Sequence, residues 1–233
     1  MAAIYLIRHG QASFGQANYD ALSQLGKQQS HVLGEGLAKR RVRFDKIIHG
    51  GLTRHEETAE FCMKGFGEAD PKLPFNIDSR FSEYNHQEVI ARHKPELSSH
   101  QTMAEYLASH DSPRKAFQLL FGEALQRWVS GDFDHEYSET WQSFQQRCRE
   151  ALHDLVNNEN NYREIAIFTS GGPISITLQQ VLELNNHQAT NLSWSIVNAS
   201  VTKLLFKNGR VSLNFFNDFS YFELTDPSLI TYR

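Results

Sequence analysis

The chain has 233 residues and a formal net charge of -4, with 40% hydrophobic and 21% charged residues. This balance predicts a globular protein with a buried core and excludes a wholly disordered chain. The acidic balance gives no general attraction to polyanions, so we expect no nucleic-acid partner, and any phosphorylated ligand must be held by a few local cations. At this length we expect a single domain, residues 1–233, that carries an insertion.

Cysteine usage and the first residues predict the compartment. Cys62 and Cys148 are the only cysteines, too few for a disulfide framework, which suits a reducing environment. The apolar stretch 2–7 is broken by Arg8, so it is too short for a signal peptide, and no run of about 18 apolar residues follows. We therefore expect a cytoplasmic protein without a membrane partner. The sequence predicts no particular oligomeric state.

The first part of the chain alternates between strand and helix patterns. The predicted elements are a strand over 4–7, a helix over 23–39, a strand over 44–48, a helix over 52–63 and a short strand over 75–78. Short apolar runs indicate the strands, and apolar residues at helical spacing indicate the helices, the first with Ser23 as its N-cap. This alternating order favours a parallel sheet.

The second part begins with a weakly patterned helical stretch, residues 85–138, which we interpret as a cap insertion. The elements predicted after it are an amphipathic helix over 141–156, a buried strand over 165–168, a helix starting near Pro173, and strands over 201–206 and 211–216. The last two strands form a hairpin, since Asn208-Gly209 favours a tight turn. The pattern as a whole predicts an α/β fold.

Several residue types suited to phosphate chemistry follow the predicted strands. Three strand ends lead into Arg8-His9-Gly10, the loop before Arg54, and Ser170-Gly171-Gly172. Ligands of open α/β sheets bind at the carboxyl ends of the strands, so these segments could converge. Two arginines, a histidine nucleophile and a helix N-terminus suit a phosphate dianion. Glu83 also follows a predicted strand and is a candidate to protonate the leaving oxygen.

Taken singly, each of these motifs also fits a structural role. Arg-His-Gly occurs in ordinary loops, Arg54 could be a solvated or salt-bridged helix residue, Gly171-Gly172 could be a tight turn, and Glu83 could be surface charge. A metal site is a further alternative, because His93 and His100 lie seven residues apart. No His-x-x-x-His spacing supports it, and polar neighbours favour solvated histidines.

The order of the motifs resembles the histidine phosphatase superfamily, the phosphoglycerate mutase-like branch with the Arg-His-Gly motif. The matching segments are residues 4–10, 22–29 (Leu-Ser-Gln-Leu-Gly-Lys-Gln-Gln), 52–59 (Leu-Thr-Arg-His-Glu-Glu-Thr-Ala), 81–84 (Phe-Ser-Glu-Tyr), 139–147 and 198–202 (Asn-Ala-Ser-Val-Thr). The resemblance implies a three-layer α/β sandwich, with a mostly parallel central sheet flanked by helices and a helical cap insertion.

The resemblance also implies roles for individual residues. His9 is the nucleophile that becomes phosphohistidine, Arg8 and Arg54 hold the phosphoryl oxygens, and Glu83 is the general acid or base. Ser170 and Gly171 lie in the substrate-binding loop. The family mechanism implies neither a metal nor a nucleotide cofactor.

The sequence departs from the family pattern at three places. Ser170 stands where a second phosphate-binding histidine is usual, Gly15 stands where many relatives have Asn, and His49-Gly50-Gly51 replaces Ser-Ser-Asp. We expect the pocket to lose a cation, and hence rate, unless His49, His55 or His86 compensates.

Three functions remain open at this stage. The leading hypothesis is a phosphatase that acts on a small phosphomonoester. A catalytically silent relative that binds a phosphorylated ligand and a phosphomutase are the alternatives. The sequence does not identify the substrate, which we expect the cap residues 85–138 to select.

Overall fold

A computed structural model describes residues 2–13, 20–70, 72–158 and 161–232, without the side chain of residue 68. The strands are β1 (Ala2–Arg8), β2 (Lys46–His49), β3 (Phe75–Ile77), β4 (Glu164–Thr169), β5 (Val201–Lys207) and β6 (Arg210–Asp218). The α-helices are α1 (Gln24–Lys39), α2 (Thr53–Phe66), α3 (His86–His93), α4 (His100–Ala108), α5 (Pro113–Ser130), α6 (Trp141–Asn158), α7 (Gly171–Leu182), α8 (Asn186–Ser195) and α9 (Ser220–Thr225). Short 3-10 turns cover Gly67–Ala69, Ser79–Phe81, Pro95–Leu97, Asp134–Glu136 and Pro227–Leu229.

The strands form one six-stranded sheet in the order β3-β2-β4-β1-β5-β6. The first four strands in this order pair in parallel, and β5 and β6 pair antiparallel at one edge. The expected α/β fold with a mostly parallel sheet is therefore confirmed. Because β1, β2 and β4 are parallel, their carboxyl ends lie at the same edge of the sheet.

Helices cover both faces of this sheet, which confirms the three-layer sandwich. Alternate side chains of β1 point to opposite faces, as strand geometry requires. Tyr5 and Ile7 belong to a core shared with α1, α2 and α9. Ile4 and Leu6 belong to a second core shared with α6 and α7. A strand buried on both faces explains why β1 is continuously apolar in the sequence.

Local sequence signals account for most element boundaries. The Ser23 side chain caps α1 by accepting a hydrogen bond from the Gly26 backbone N–H. Asn208 and Gly209 both have positive φ, which is the turn geometry that favours this dipeptide in a two-residue hairpin. Helix α2 runs three residues past its predicted end at Met63, because the backbone leaves the helical conformation only at Gly67, where φ is 57°.

The chain divides into two compact units. The first, Met1–Glu83 with Arg147–Arg233, contains the whole sheet. The second, Tyr84–Gln146, has its own aromatic core around Trp128, whose ring centroid lies 4.7 Å from that of Tyr84 and 5.2 Å from that of Trp141. The Trp128 indole donates to the Glu139 carbonyl at 2.8 Å. The second unit is thus a helical insertion with internal packing of its own.

Two features of the described residues concern a membrane span and a metal site. Within the described ranges, no helix combines the length and apolar character that crossing a membrane requires. His93 ends α3 and His100 begins α4, so the two histidines lie on different helices. In the same ranges, no group of three or more His, Cys, Asp or Glu side chains is arranged to hold a metal ion.

Helices α1 and α2 approach so closely that glycine is required on both. A methyl group at Gly34 would collide with the Cys62 carbonyl oxygen, and one at Gly65 would collide with the His31 carbonyl oxygen. We expect Gly34→Ala to lower the free energy of unfolding by about 1–3 kcal/mol or more, since backbone atoms must separate. Urea denaturation measures this loss.

The control is Gly122→Ala in α5, where a methyl group would meet no atom within 4 Å. That substitution should raise the free energy of unfolding by about 0.5–1 kcal/mol, because alanine favours a helix more than glycine does. Equal effects of the two substitutions would contradict this account of the helix contact.

Candidate active site

The carboxyl ends of β1, β2 and β4 meet at one edge of the sheet. Arg8 pairs with Thr169 in the register, and the His9 N–H donates to the Thr169 carbonyl at 2.8 Å. The Gly50 N–H donates to the Phe168 carbonyl at 3.1 Å. The main chain therefore brings together the loops that begin with His9, Gly50 and Ser170.

His9 is 9% exposed, and its ring orientation is set by its own main chain. The Nδ1 atom lies 2.7 Å from the Gly10 carbonyl oxygen, which can only accept a hydrogen bond. We therefore assign the proton of the neutral ring to Nδ1, which leaves the lone pair on Nε2. Nε2 is thus the ring atom with basic character.

Burial and neighbouring cations keep this ring neutral. Loss of hydration lowers the pKa of His9 well below its usual value, and the charges of Arg54 and Arg8 and the nearby His55 lower it further. The hydrogen bond to Gly10 opposes this shift without cancelling it. The His9 ring is consequently neutral near pH 7.

The two arginines reach the site from different elements, and both are nearly buried. Arg8, at the end of β1, donates from its guanidinium to the Ile196 carbonyl. Arg54, in the first turn of α2, forms an ion pair with Asp20 at 2.5 Å. The Thr58 hydroxyl links α2 to the loop that begins with His9, because it donates to the Arg54 carbonyl at 2.5 Å and accepts from the Gly10 N–H at 3.1 Å.

A clamp from later in the chain holds the His9 main chain. The Asn198 side-chain amide and the Ala199 N–H both donate to the His9 carbonyl, at 3.2 and 3.1 Å. The Thr231 hydroxyl donates to the Asn198 side-chain oxygen at 3.1 Å, and the Asn198 N–H donates to the Thr231 carbonyl at 2.9 Å. The Gln29 amide donates to the Thr231 hydroxyl at 2.8 Å. These bonds fix the main chain at His9.

Glu83 lies at the N-terminus of α7. Its Oε2 accepts from the Gly172 N–H at 3.2 Å, two residues beyond Ser170. Gly171 is the first residue of α7 and is buried, and Pro173 occupies the third helical position. The helix N-terminus favours negative charge, so it suits a carboxylate or a phosphate oxygen.

Ser170 is fully buried and contacts a histidine that comes from another element. Its Oγ lies 2.7 Å from Nε2 of His55, which is also fully buried. His55 is one of the histidines that could compensate for the missing histidine, and it contacts Ser170 directly. His49, another of them, accepts a hydrogen bond from the Gly51 N–H at 3.3 Å. Gly15, the other departure from the family pattern, lies outside the described residues.

Three residues that contact the candidate site, Asp20, Thr58 and Asn198, were not predicted as site residues from the sequence. The spacing of Thr58 could have indicated it as a site residue, because it follows Arg54 by four residues and therefore lies on the same helix face. Asn198 belongs to a segment that resembles the family. No local sequence pattern indicates Asp20, because its ion pair with Arg54 joins residues that are distant in the sequence and close only in the folded chain.

Neutral buried histidines should make the stability depend on pH. Burial also lowers the pKa of His55 well below its usual value, with further contributions from Arg54 and His49. Below about pH 6.5 the unfolded chain binds protons at His9 and His55 that the folded protein does not bind, so stability falls as the pH falls. Each histidine should contribute a slope of up to about 1.4 kcal/mol per pH unit.

Urea denaturation between pH 5 and 7.5 measures this slope, with His55→Gln as the comparison. The variant should lose the contribution of one histidine, while His49, whose pKa burial also lowers, stays in both proteins. If the free energy of unfolding depends on pH in the same way in both proteins, His55 is not a neutral, buried histidine.

Comparisons with known proteins identify the family and the fold. The model of the histidine phosphatase superfamily (branch 1) matches residues 4–219. The fold is similar to phosphoglycerate mutase from Bacillus anthracis str. Sterne, with a TM-score of 0.65, 18% identity and 94% of each chain covered. It is also similar to phosphoserine phosphatase from Entamoeba histolytica, with a TM-score of 0.63, 18% identity, and 95% and 99% of the two chains covered. At these identities the similarity establishes the fold alone.

Curated sequences give a shorter match. The chain is 38% identical over 63 residues to the mitochondrial serine/threonine-protein phosphatase PGAM5 of Rattus norvegicus, which is 26% of this chain and 22% of that protein. The match thus spans about a fifth of the relative. The family model, by contrast, covers nearly the whole chain, including the Arg-His-Gly loop, and on that basis the protein belongs to the histidine phosphatase superfamily.

Proposed function

We propose that the protein is a phosphatase that hydrolyses a small phosphomonoester through a phosphohistidine on His9. The observation that carries the proposal is the orientation of His9, whose Nδ1 is held 2.7 Å from the Gly10 carbonyl so that Nε2 can attack. The membership of the superfamily and the fold shared with a protein named phosphoserine phosphatase support the same reading. The proposed chemistry needs neither a metal nor a nucleotide cofactor.

In the first proposed step, the His9 Nε2 attacks phosphorus and the bond between phosphorus and the leaving oxygen breaks. Arg8 and Arg54 compensate the charge on the phosphoryl oxygens, which is the main electrostatic requirement of phosphoryl transfer. Glu83, in its protonated form, gives its proton to the leaving oxygen. The Nδ1–H bond to Gly10 stabilises the positive charge that the ring gains.

In the second proposed step, water attacks the phosphohistidine. Glu83, now a carboxylate, takes a proton from the water as the bond between phosphorus and Nε2 breaks. This step releases inorganic phosphate and restores both the neutral His9 and the protonated Glu83. The buried loop of Ser170 and Gly171 contributes donors to the phosphoryl oxygens.

Rapid-quench labelling tests this proposal directly. The protein is mixed with a panel of ³²P-labelled small phosphomonoesters, quenched in alkali, and digested to locate the label. A phosphoramidate is labile in acid and stable in alkali, so the label should survive alkali, be lost in acid and map to the peptide that contains His9.

Two other outcomes would reject the proposal. Phosphate release with an acid-stable label, or with label on another peptide, would point to a different nucleophile. Neither release nor label across the panel, with inorganic phosphate still bound, would favour the silent binding protein.

A further inference from the structure

A buried histidine–serine pair lies beside the proposed nucleophile. His55 in α2 and Ser170 before α7 are both 0% exposed, and their Nε2 and Oγ atoms are 2.7 Å apart. The ring centroids of His55 and His9 are 5.8 Å apart. Because Arg54 immediately precedes His55 in the chain, the pair also adjoins a proposed phosphate ligand. The pair is therefore part of the wall of the site, although the mechanism above gives His55 no role.

The hydrogen-bond partners of His55 indicate the direction of its bond with Ser170. Within the described part of the chain, the buried His55 Nδ1 has no hydrogen-bond partner. A buried N–H without a partner is rarer and more costly than a lone pair without one, so we place the ring proton on Nε2. His55 then donates to Ser170 Oγ, and the Ser170 hydroxyl keeps its own hydrogen to donate elsewhere.

The Ser170 hydroxyl is not used to cap the helix that follows. Although Ser170 is the N-cap residue of α7, its side chain makes no capping bond to the helix backbone. A serine at this position ordinarily accepts from a backbone N–H of the first turn. The bond with His55 turns the hydroxyl away from this role. In the first turn of α7 the Gly172 N–H donates to Glu83 at 3.2 Å and Pro173 has no N–H, so the hydroxyl is oriented by its contact with His55 rather than by a capping bond.

Two departures from the family pattern, Gly50 and Ser170, both lie against the His55 ring. A methyl group at Gly50 would lie 2.4 Å from the Phe81 carbonyl oxygen and 2.7 Å from Nδ1 of His55, so glycine at this position leaves room for the Phe81 main chain and for the ring. The ring in turn reaches Ser170, where a larger side chain built along the Cβ–Oγ direction would collide with it. The imidazole in contact with Ser170 therefore comes from His55 in α2.

We propose that His55 is a positioning residue that holds the Ser170 hydroxyl so that it donates a hydrogen bond to an oxygen of the transferring phosphoryl group. This inference rests on the proposed function and names the donor that stands in for the missing histidine. His55 acts through Ser170 and does not itself touch the phosphoryl group. The Ser170 bond should strengthen as the phosphoryl group approaches His9, since hydrogen bonds to charged oxygens are the stronger ones.

A double-mutant cycle on p-nitrophenyl phosphate tests the coupling. Ser170→Ala and His55→Leu should each lower kcat/KM about ten- to a hundredfold, the cost of one hydrogen bond to a charged group. The double variant should be no slower than the slower single variant. His55→Gln should keep most of the activity, because its amide can donate near the place of Nε2. Multiplied losses in the double variant, or full activity in His55→Leu, would overturn the proposal.

Ser175→Ala is the matched control for the serine. Ser175 is also buried in α7, but its hydroxyl donates to the Gly171 carbonyl within the helix, at 2.7 Å. The control should keep the wild-type kcat/KM. If it loses as much activity as Ser170→Ala does, the loss arises from disturbance of α7 and the proposal fails.

Two readouts do not depend on turnover and so separate this proposal from the proposed function. Nitrogen-15 NMR of the His55 ring should show the proton on Nε2, and a proton on Nδ1 would overturn the assigned bond direction. Calorimetric titration with inorganic phosphate should show weaker binding to Ser170→Ala and to His55→Leu than to the wild type. Wild-type affinity in both variants would overturn the proposal even if His9 is labelled. A failure to label His9, with phosphate binding weakened as expected, would reject only the phosphatase function.

Discussion

Replacing His9 with alanine is expected to lower kcat/KM on small phosphomonoesters by at least about 10⁴-fold, because removal of a covalent nucleophile leaves only direct attack by water. Arg8 and Arg54 remain in the variant, so inorganic phosphate should still bind. Steady-state release of phosphate measures the loss of kcat/KM. The inhibition constant of inorganic phosphate, determined for the residual reaction of the variant and for the wild-type reaction, compares phosphate binding in the two proteins. Loss of turnover without loss of binding would identify His9 as the reacting group.

His153→Ala provides the control for this experiment. His153 lies on α6 with 71% of its side chain exposed, and its nearest charged partner is Asp154 at 3.6 Å. The same chemical change at this position should leave kcat/KM unchanged. Activity of the His9→Ala protein comparable with that of His153→Ala would rule out the phosphohistidine mechanism.

Replacing Glu83 with glutamine should slow the hydrolysis of alkyl phosphates by about 10²- to 10⁴-fold, the usual contribution of general acid–base catalysis. For p-nitrophenyl phosphate, the rate of phosphoryl transfer to His9 should be nearly the same in the variant and the wild type, because this leaving group needs no proton. The substitution suits the structure, because the glutamine amide oxygen can still accept from the Gly172 N–H, which is 3.2 Å from the present carboxylate. The start of α7 should therefore keep its shape.

Glu57→Gln is the matched carboxylate control. Glu57 lies on α2 and accepts from the Leu22 N–H at 2.6 Å, a bond that the amide oxygen can also accept. This variant should hydrolyse both classes of substrate at the wild-type rate. If Glu83→Gln slows the burst of leaving-group release equally for alkyl and nitrophenyl phosphates, Glu83 is not the proton donor.

The fold could be predicted from the sequence because its signals are local. The apolar run of β1, the Ser23 cap and the Asn208-Gly209 turn each specify an element within a few residues. Boundaries were less accurate, as in β2, which was predicted over 44–48 and is observed as Lys46–His49. A short strand begins where pairing with its neighbours begins, and the register with β4 starts at Lys46.

The candidate site could be predicted only in part, for a physical reason. His9 and Ser170 follow strands, and parallel strands deliver their ends to one edge, so their proximity follows from the pattern. The contact between His55 and Ser170 depends on how α2 is rotated against the sheet, which no local motif specifies. The roles of Arg8, Arg54 and Glu83 stay predictions, to be tested by the substitutions above.

The clamp on His9 has a consequence for the order in which the protein becomes active during synthesis. Asn198 lies 189 residues after His9, so a ribosome that has added His9 must still translate the whole of that stretch before the clamp can close. At bacterial and eukaryotic elongation rates of roughly 5–20 residues per second, this takes about 10 to 40 seconds. For most of that time β1 also lacks its partner β4, which begins at Glu164, and its other partner β5 is translated only after Asn198. A nascent chain therefore carries the complete Arg-His-Gly motif for many seconds before the hydrogen bonds that hold the His9 main chain can form.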